Sequence, residues 1–148
     1  MIDREAIYTA LLAKLAACGQ FVTVGRTPVP PSELSAEMQP ALFLEEVRET
    51  ANPRPRGMPI KWTLEVDLGI YYYCETQPQM PGQENATPAT ALNNLIAAVE
   101  SSLAPDVNGV QTLSGLVDHC WIEGEVVKSP AYLQAQGAAV VPVRILAV

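Results

Sequence analysis

Between Ile60 and Cys74 the chain reads IKWTLEVDLGIYYYC, and its side chains alternate almost without a break. Ile60, Trp62, Leu64, Val66, Leu68, Ile70, Tyr72 and Cys74 fall on one side, and Lys61, Thr63, Glu65 and Asp67 on the other. A period of two sustained this long specifies a strand with one face in a core and the other outside it. At ~3.3 Å per residue it would reach roughly 50 Å unbroken, well beyond the usual ~5 or 6 residues. Such a ribbon is expected to outrun the core of a small domain. Its overhang calls for cover, which points toward assembly with further copies or with a partner.

A chain of 148 residues is most simply one domain, residues 1–148, with enough length to bury a core. Hydrophobic residues make up 49% of it, yet no uninterrupted apolar run approaches the ~20 residues a spanning helix needs, so no membrane is expected. Asp3, Arg4 and Glu5 stand where a secretory signal would place a basic segment, and Lys14 interrupts the apolar stretch behind them. No export is expected either. Cys18, Cys74 and Cys120 match no metal-binding spacing and leave one thiol over in any disulfide scheme, which favours reduced cysteines. A net charge of −7 argues against gripping nucleic acid by neutralising phosphates.

Proline punctuates the chain in three clusters, Thr27 to Pro31, Pro53 to Pro59 and Pro78 to Pro88, which read as loops or extended arms. Around them the pattern predicts an amphipathic helix capped by Asp3 and stopped by Gly19, with Ile7, Tyr8, Leu11, Leu12 and Leu15 on its apolar face. A short strand from Phe21 to Val24 and another from about Ala41 to Glu49 follow. The Thr50 to Pro59 segment then joins this strand to the long one as a hairpin and carries Arg54 and Arg56 at its tip. Thr87 and Pro88 open a second helix to about Leu103, with Leu92, Leu95, Ile96, Val99 and Leu103 as its stripe. One strand is expected within Gly115 to Val127, with Cys120, Ile122, Gly124 and Val126 on one face and Trp121, Glu123 and Glu125 on the other. A last, Ala138 to Val148, is expected to lie at a sheet edge or to bend, because Pro142 has no N–H for a ladder. The order predicts an α+β fold, a mainly antiparallel sheet with a long hairpin and two helices packed on one face.

Catalytic signals are sparse. His119 and Cys120 are neighbours on a strand and so point to opposite faces, which prevents a shared metal or a thiol and base pair. Gly109 and Gly115 lack the lysine of a phosphate loop, and Ser114 lacks the preceding half of a nucleophile elbow. Glu123 and Glu125 are the carboxylates a small cytoplasmic hydrolase would use, and such an enzyme would need a concave pocket around them. Another possibility is a ligand-binding module that dimerises through its terminal strand. No catalytic residue, metal or cofactor is expected. Tyr71, Tyr72 and Tyr73 close the long strand with rings suited to an interface or to a wide-sheet core.

The segments IDREAIYTALLAKL, FVTVGR, QPALFLEEV, KWTLEVDLGIYYY, TPATALNNLIAAVESSLAPD, QTLSGLVDHCWIEGEVV and VVPVRILAV, in this order, give a chain that resembles the tail terminator, or tail completion, proteins of long-tailed bacteriophages. The resemblance implies a virion protein assembled in the host cytoplasm. It would form a homohexameric ring on the tail tube protein, end tube polymerisation and offer a surface to a head-tail connector protein. It also implies no catalytic residues. DNA would pass through the lumen without specific binding, and an acidic ring would repel its phosphates. A head-tail connector, as stopper or adaptor, is the neighbouring alternative. Within this reading the expected interaction residues are Arg54 and Arg56 on the hairpin loop and Glu65, Asp67, Tyr71 and Tyr73 on the outer face of the long strand.

Overall fold

The computed structural model describes residues 1–73, 88–133 and 136–148. Helix α1 spans Arg4–Ala16 and α2 spans Pro88–Ser102; strands β1 to β6 span Thr23–Gly25, Ala41–Asn52, Lys61–Tyr73, His119–Ile122, Val127–Leu133 and Gln136–Ala147. All six strands belong to one sheet ordered β1-β2-β3-β6-β4, with β5 also on β6. Every pairing is antiparallel except the short parallel contact of β1 with β2. The fold is α+β, as the order helix, strands, helix, strands predicts.

Local chemistry sets the helix ends. Asp3 caps α1 by accepting from the Ala6 amide at 3.0 Å, which satisfies one of the free N–H groups of the first turn. At the other end Gly19 adopts a φ of 72° and its amide reaches the Ala16 carbonyl. Pro88 is the first residue of α2, where a missing N–H costs nothing. Its expected cap, Thr87, lies outside the described residues, as do Cys74 and the Glu75 to Ala86 loop.

Both helices lie on one face of the sheet. Ile7, Tyr8, Leu11 and Leu15 of α1 and Leu92, Leu95, Val99 and Leu103 of α2 bury against Leu42, Leu44, Leu64, Val66, Leu68, Ile70, Val141, Val143 and Ile145. Each such side chain contributes roughly 1.5–3 kcal/mol when fully buried, so this layer is the main source of stability. The alternation of β3 is thus read out directly, although Ile60 falls beyond the strand and is exposed. Tyr8 carries its phenol into this core. Burial, with Glu46 and Glu49 adding to it, pushes that group up to about 12.

Three expectations need correction. The long strand does not overhang: β2 pairs with it from Lys61 to Tyr71 and β6 from Trp62 to Tyr73. The chain's own C-terminal strand supplies the cover, so the length of β3 needs no second molecule. Consequently β6 is an interior strand, not an edge. It tolerates Pro142 because β4 pairs with Leu146 to Val143 and β5 with Val140 to Ala138, leaving a break opposite the proline. Within a strand a residue's N and O point to the same side, and Pro142 O accepts from the Glu123 amide; the missing N–H therefore faces the break. Finally, Gly115 to Val127 does not hold a continuous strand with Trp121, Glu123 and Glu125 in alternation. It holds β4, a kink at Gly124 with φ 127°, and the first residue of β5.

Candidate interaction surface

Among the described residues, the face of the sheet away from the helices is covered only at one end. There the segment 27–40, with two turns of 3-10 helix at Pro31–Glu33 and Ala36–Met38, folds over it. Leu34, with Val29 and Met38, packs on Ala41, Phe43 and Tyr71. Gln39 holds this cover closed through its side-chain amide, which donates to Leu34 O at 3.2 Å and accepts from Gln136 Nε2 at 3.3 Å. Tyr71 lies across Gly69 and tilts against Phe43, with ring centroids 6.2 Å apart. Of the expected pair of outward tyrosines, then, Tyr71 is a half-buried part of a second small core, and Tyr73 stays exposed.

Beyond the cover the face is charged and open. Arg48, Glu65, Arg144 and Trp121 stand in one cross-strand row over β2, β3, β6 and β4. Arg48 Nη2 lies 2.7 Å from Glu65, Arg144 reaches Glu65 at 3.5 Å and Glu123 at 3.2 Å, and the Trp121 indole donates to Glu123 at 2.6 Å. His119 stacks on Trp121 at 4.8 Å between centroids and accepts the Gln111 amide on Nδ1 at 3.1 Å. Cys120, between them in sequence, is fully buried on the other face. This is the separation that strand geometry requires.

Glu65 and Asp67 do share the outward face of β3, with different surroundings. Glu65 is engaged by two arginines, whereas Asp67 stands directly across from Glu45. Among the described residues neither Glu45 nor Asp67 has an ion-pair partner. Burial, then the charges of Glu45 and Glu65, raise the carboxyl of Asp67 above the usual aspartate range. A hollow of about 170 Å³ opens beside it, lined by Val47, Glu65, Asp67, Glu123, Pro142 and Arg144. Glu125, the second carboxylate considered for hydrolysis, is exposed and does not line it. Among the described residues no group of three or more His, Cys, Asp and Glu side chains is placed to hold a metal ion.

At the far end of the hairpin the turn Pro55 to Met58 closes with the Met58 amide on Pro55 O at 3.1 Å, and Gly57 takes the positive φ of 87° that such a turn needs. The turn leaves Arg54 and Arg56 exposed. The only polar contact either makes among the described residues is Arg54 with the Met58 sulfur at 3.4 Å. Every other arginine is in an ion pair: Arg4 with Glu49, Arg26 with Glu5 and Glu46, Arg48 with Glu65, Arg144 with Glu65 and Glu123. The sequence singles out the tip by its prolines. It does not disclose Arg48, Arg144, Glu123 or Trp121 as members of the open face, because they come together only through strand register.

Along β2 the outer edge has no strand partner among the described residues past the three that meet β1, and it carries Glu45, Glu46, Arg48 and Glu49 with a bulge at Val47. Charge and a bulge are how an edge strand avoids recruiting another chain. Among the described residues no helix is long and apolar enough to cross a membrane. A scan against protein-family models finds no match, and a search of curated proteins finds none either.

Proposed function

We propose that this chain is a structural protein of a phage tail, a terminator that assembles as a ring on the end of the tail tube and receives the head there. The observation that carries this reading is the hairpin tip. On a body of net charge −7, where all other arginines are neutralised in place, two guanidinium groups are held out on a proline-stiffened turn with no ion-pair partner among the described residues. A surface of one sign presented by a chain of the other sign favours head-to-tail contacts between copies, the kind that close by rotation into rings. The prolines at 53, 55 and 59 reduce the ordering cost of such a contact.

The open, charged sheet face supplies a second surface, and the resemblance assigns the tail tube and the connector as the partners for the ring's two ends. An acidic ring would let DNA slide through rather than bind it. The test is negative-stain imaging and native mass spectrometry of the full chain, alone and with purified tail tubes. Rings seated on tube ends, with tubes that no longer elongate, are the expected result. A chain that stays monomeric and leaves tube ends uncapped overturns the proposal.

A further inference from the structure

We infer that the hollow beside Asp67 receives the guanidinium tip, Arg54 or Arg56, of a second copy of this chain. The inference rests on the reading of the protein as one that assembles with itself, and it names the two surfaces that meet.

The hollow exists because two irregularities flank the same stretch of sheet. On one side the bulge at Val47 interrupts the β2 register between Glu46 and Arg48; on the other the break between β4 and β5 leaves Pro142 without a strand partner on the side away from β3. Its lining consequently combines apolar side chains, Val47 and Pro142, with the acidic Glu65, Asp67 and Glu123 beside Arg144. Four carboxylates, Glu45, Glu65, Asp67 and Glu123, stand around two arginines, Arg48 and Arg144, and both arginines are already spent on Glu65 and Glu123. Glu45 and Asp67 therefore face each other uncompensated, an arrangement that costs free energy in a sheet. A cation entering the hollow removes that cost. The planar fork of arginine suits such a place better than a point charge, since it can bond a carboxylate with two parallel N–H groups while its flat face rests on apolar side chains.

The occupant cannot be the same chain's tip. Asp67 lies six residues along an unbroken strand from Lys61, where β3 leaves the loop, which at ~3.3 Å per residue is about 20 Å. An extended, doubly paired ribbon cannot fold back over that distance. A second copy can reach, and it brings the two arginines that pair with no carboxylate among the described residues.

Sedimentation velocity on the full chain at low and high salt, repeated as capping of purified tubes, tests the contact by charge reversal. Arg54→Glu with Arg56→Glu alters only exposed side chains and is expected to weaken association about tenfold or more. Glu45→Arg with Asp67→Arg is expected to do the same. All four changes in one chain restore opposite charges and should bring association back to within a few-fold of the original. Because Asp67 is partly buried, Glu45→Gln with Asp67→Asn serves as a milder second variant, with circular dichroism to establish folding. Association insensitive to the tip reversal, or a fourfold variant no better than either pair, overturns the contact. Rings that persist unchanged through every reversal would overturn it while leaving the ring reading intact. A two-fold dimer that the reversals dissolve and the combination restores would support the contact and defeat the ring. A chain monomeric both free and on tubes defeats both.

Discussion

Gly124 lies so close to Pro142 that a Cβ built on it would stand 2.9 Å from the proline Cγ, and its φ of 127° is one that residues with side chains rarely adopt. The two residues make one device. The kink at Gly124 moves the chain from β4 to β5, and the ring of Pro142 fills the break it leaves. Gly124→Ala is expected to cost about 2–4 kcal/mol, as strain and overpacking combine. Adding Pro142→Ala, which deletes the clashing Cγ, should recover part of it. Urea unfolding of the two variants measures both numbers, and a Gly124→Ala protein as stable as the parent would contradict the packing described.

The two described cysteines should react very differently. Burial pushes the Cys120 thiol up to about 12, with Lys14 opposing only weakly, while Cys18 is half-buried near the end of α1. The thiolate is the reactive form. Maleimide labelling followed by peptide mapping at mildly alkaline pH should therefore modify Cys18 in the folded protein and Cys120 only on unfolding. Equal rates at both would contradict the burial of Cys120.

Asp67 has a carboxyl raised above its ordinary value by burial first and by Glu45 and Glu65 after it. The native state then holds this proton more tightly than the unfolded one, so the site's contribution to stability falls as pH rises from the ordinary aspartate range through the raised value. Above that window the penalty is complete. Asp67→Asn is expected to stabilise the monomer at neutral pH by ~0.2–1 kcal/mol, the size of a cross-strand like-charge effect. The advantage should vanish once both states of the parent are protonated. Thermal melts of parent and variant at acid and neutral pH check the sign; a larger benefit in acid would refute it.

Tyr71 joins the cover of residues 27–40 to the sheet through Phe43 and the cluster around Leu34. Removing the ring by Tyr71→Ala should cost about 1–2 kcal/mol, less than a fully buried aromatic because part of it meets solvent. The loss should be local. Limited proteolysis is expected to cut within 27–38 faster in the variant, with the helix-covered core unaffected. Unchanged cleavage would mean that Gln39, through Leu34 and Gln136, holds the cover without the tyrosine.

Much of this architecture is written locally. The period-two run of β3, the Asp3 cap, the Gly19 stop and the stripe of α2 each act over a few residues, so each can be recognised without knowing what lies opposite. The proline-rich tip with Arg54 and Arg56 is of the same kind. Strand order is not. Whether AAVVPVRILAV sits at an edge or in the middle depends on which strands pair with it, and only the tertiary structure, by breaking β4 from β5 opposite Pro142, makes an interior place tolerable. The same holds for the open face. Glu65 has its arginines, Asp67 has none, and Tyr71 is half-buried while Tyr73 is exposed, although all four alternate on one strand. Their differences come from cross-strand register and from a loop folded over one end of the sheet, which are contacts between residues far apart in the chain. A pattern of side chains determines which face turns outward; what meets that face is decided by the neighbours that pairing brings to it.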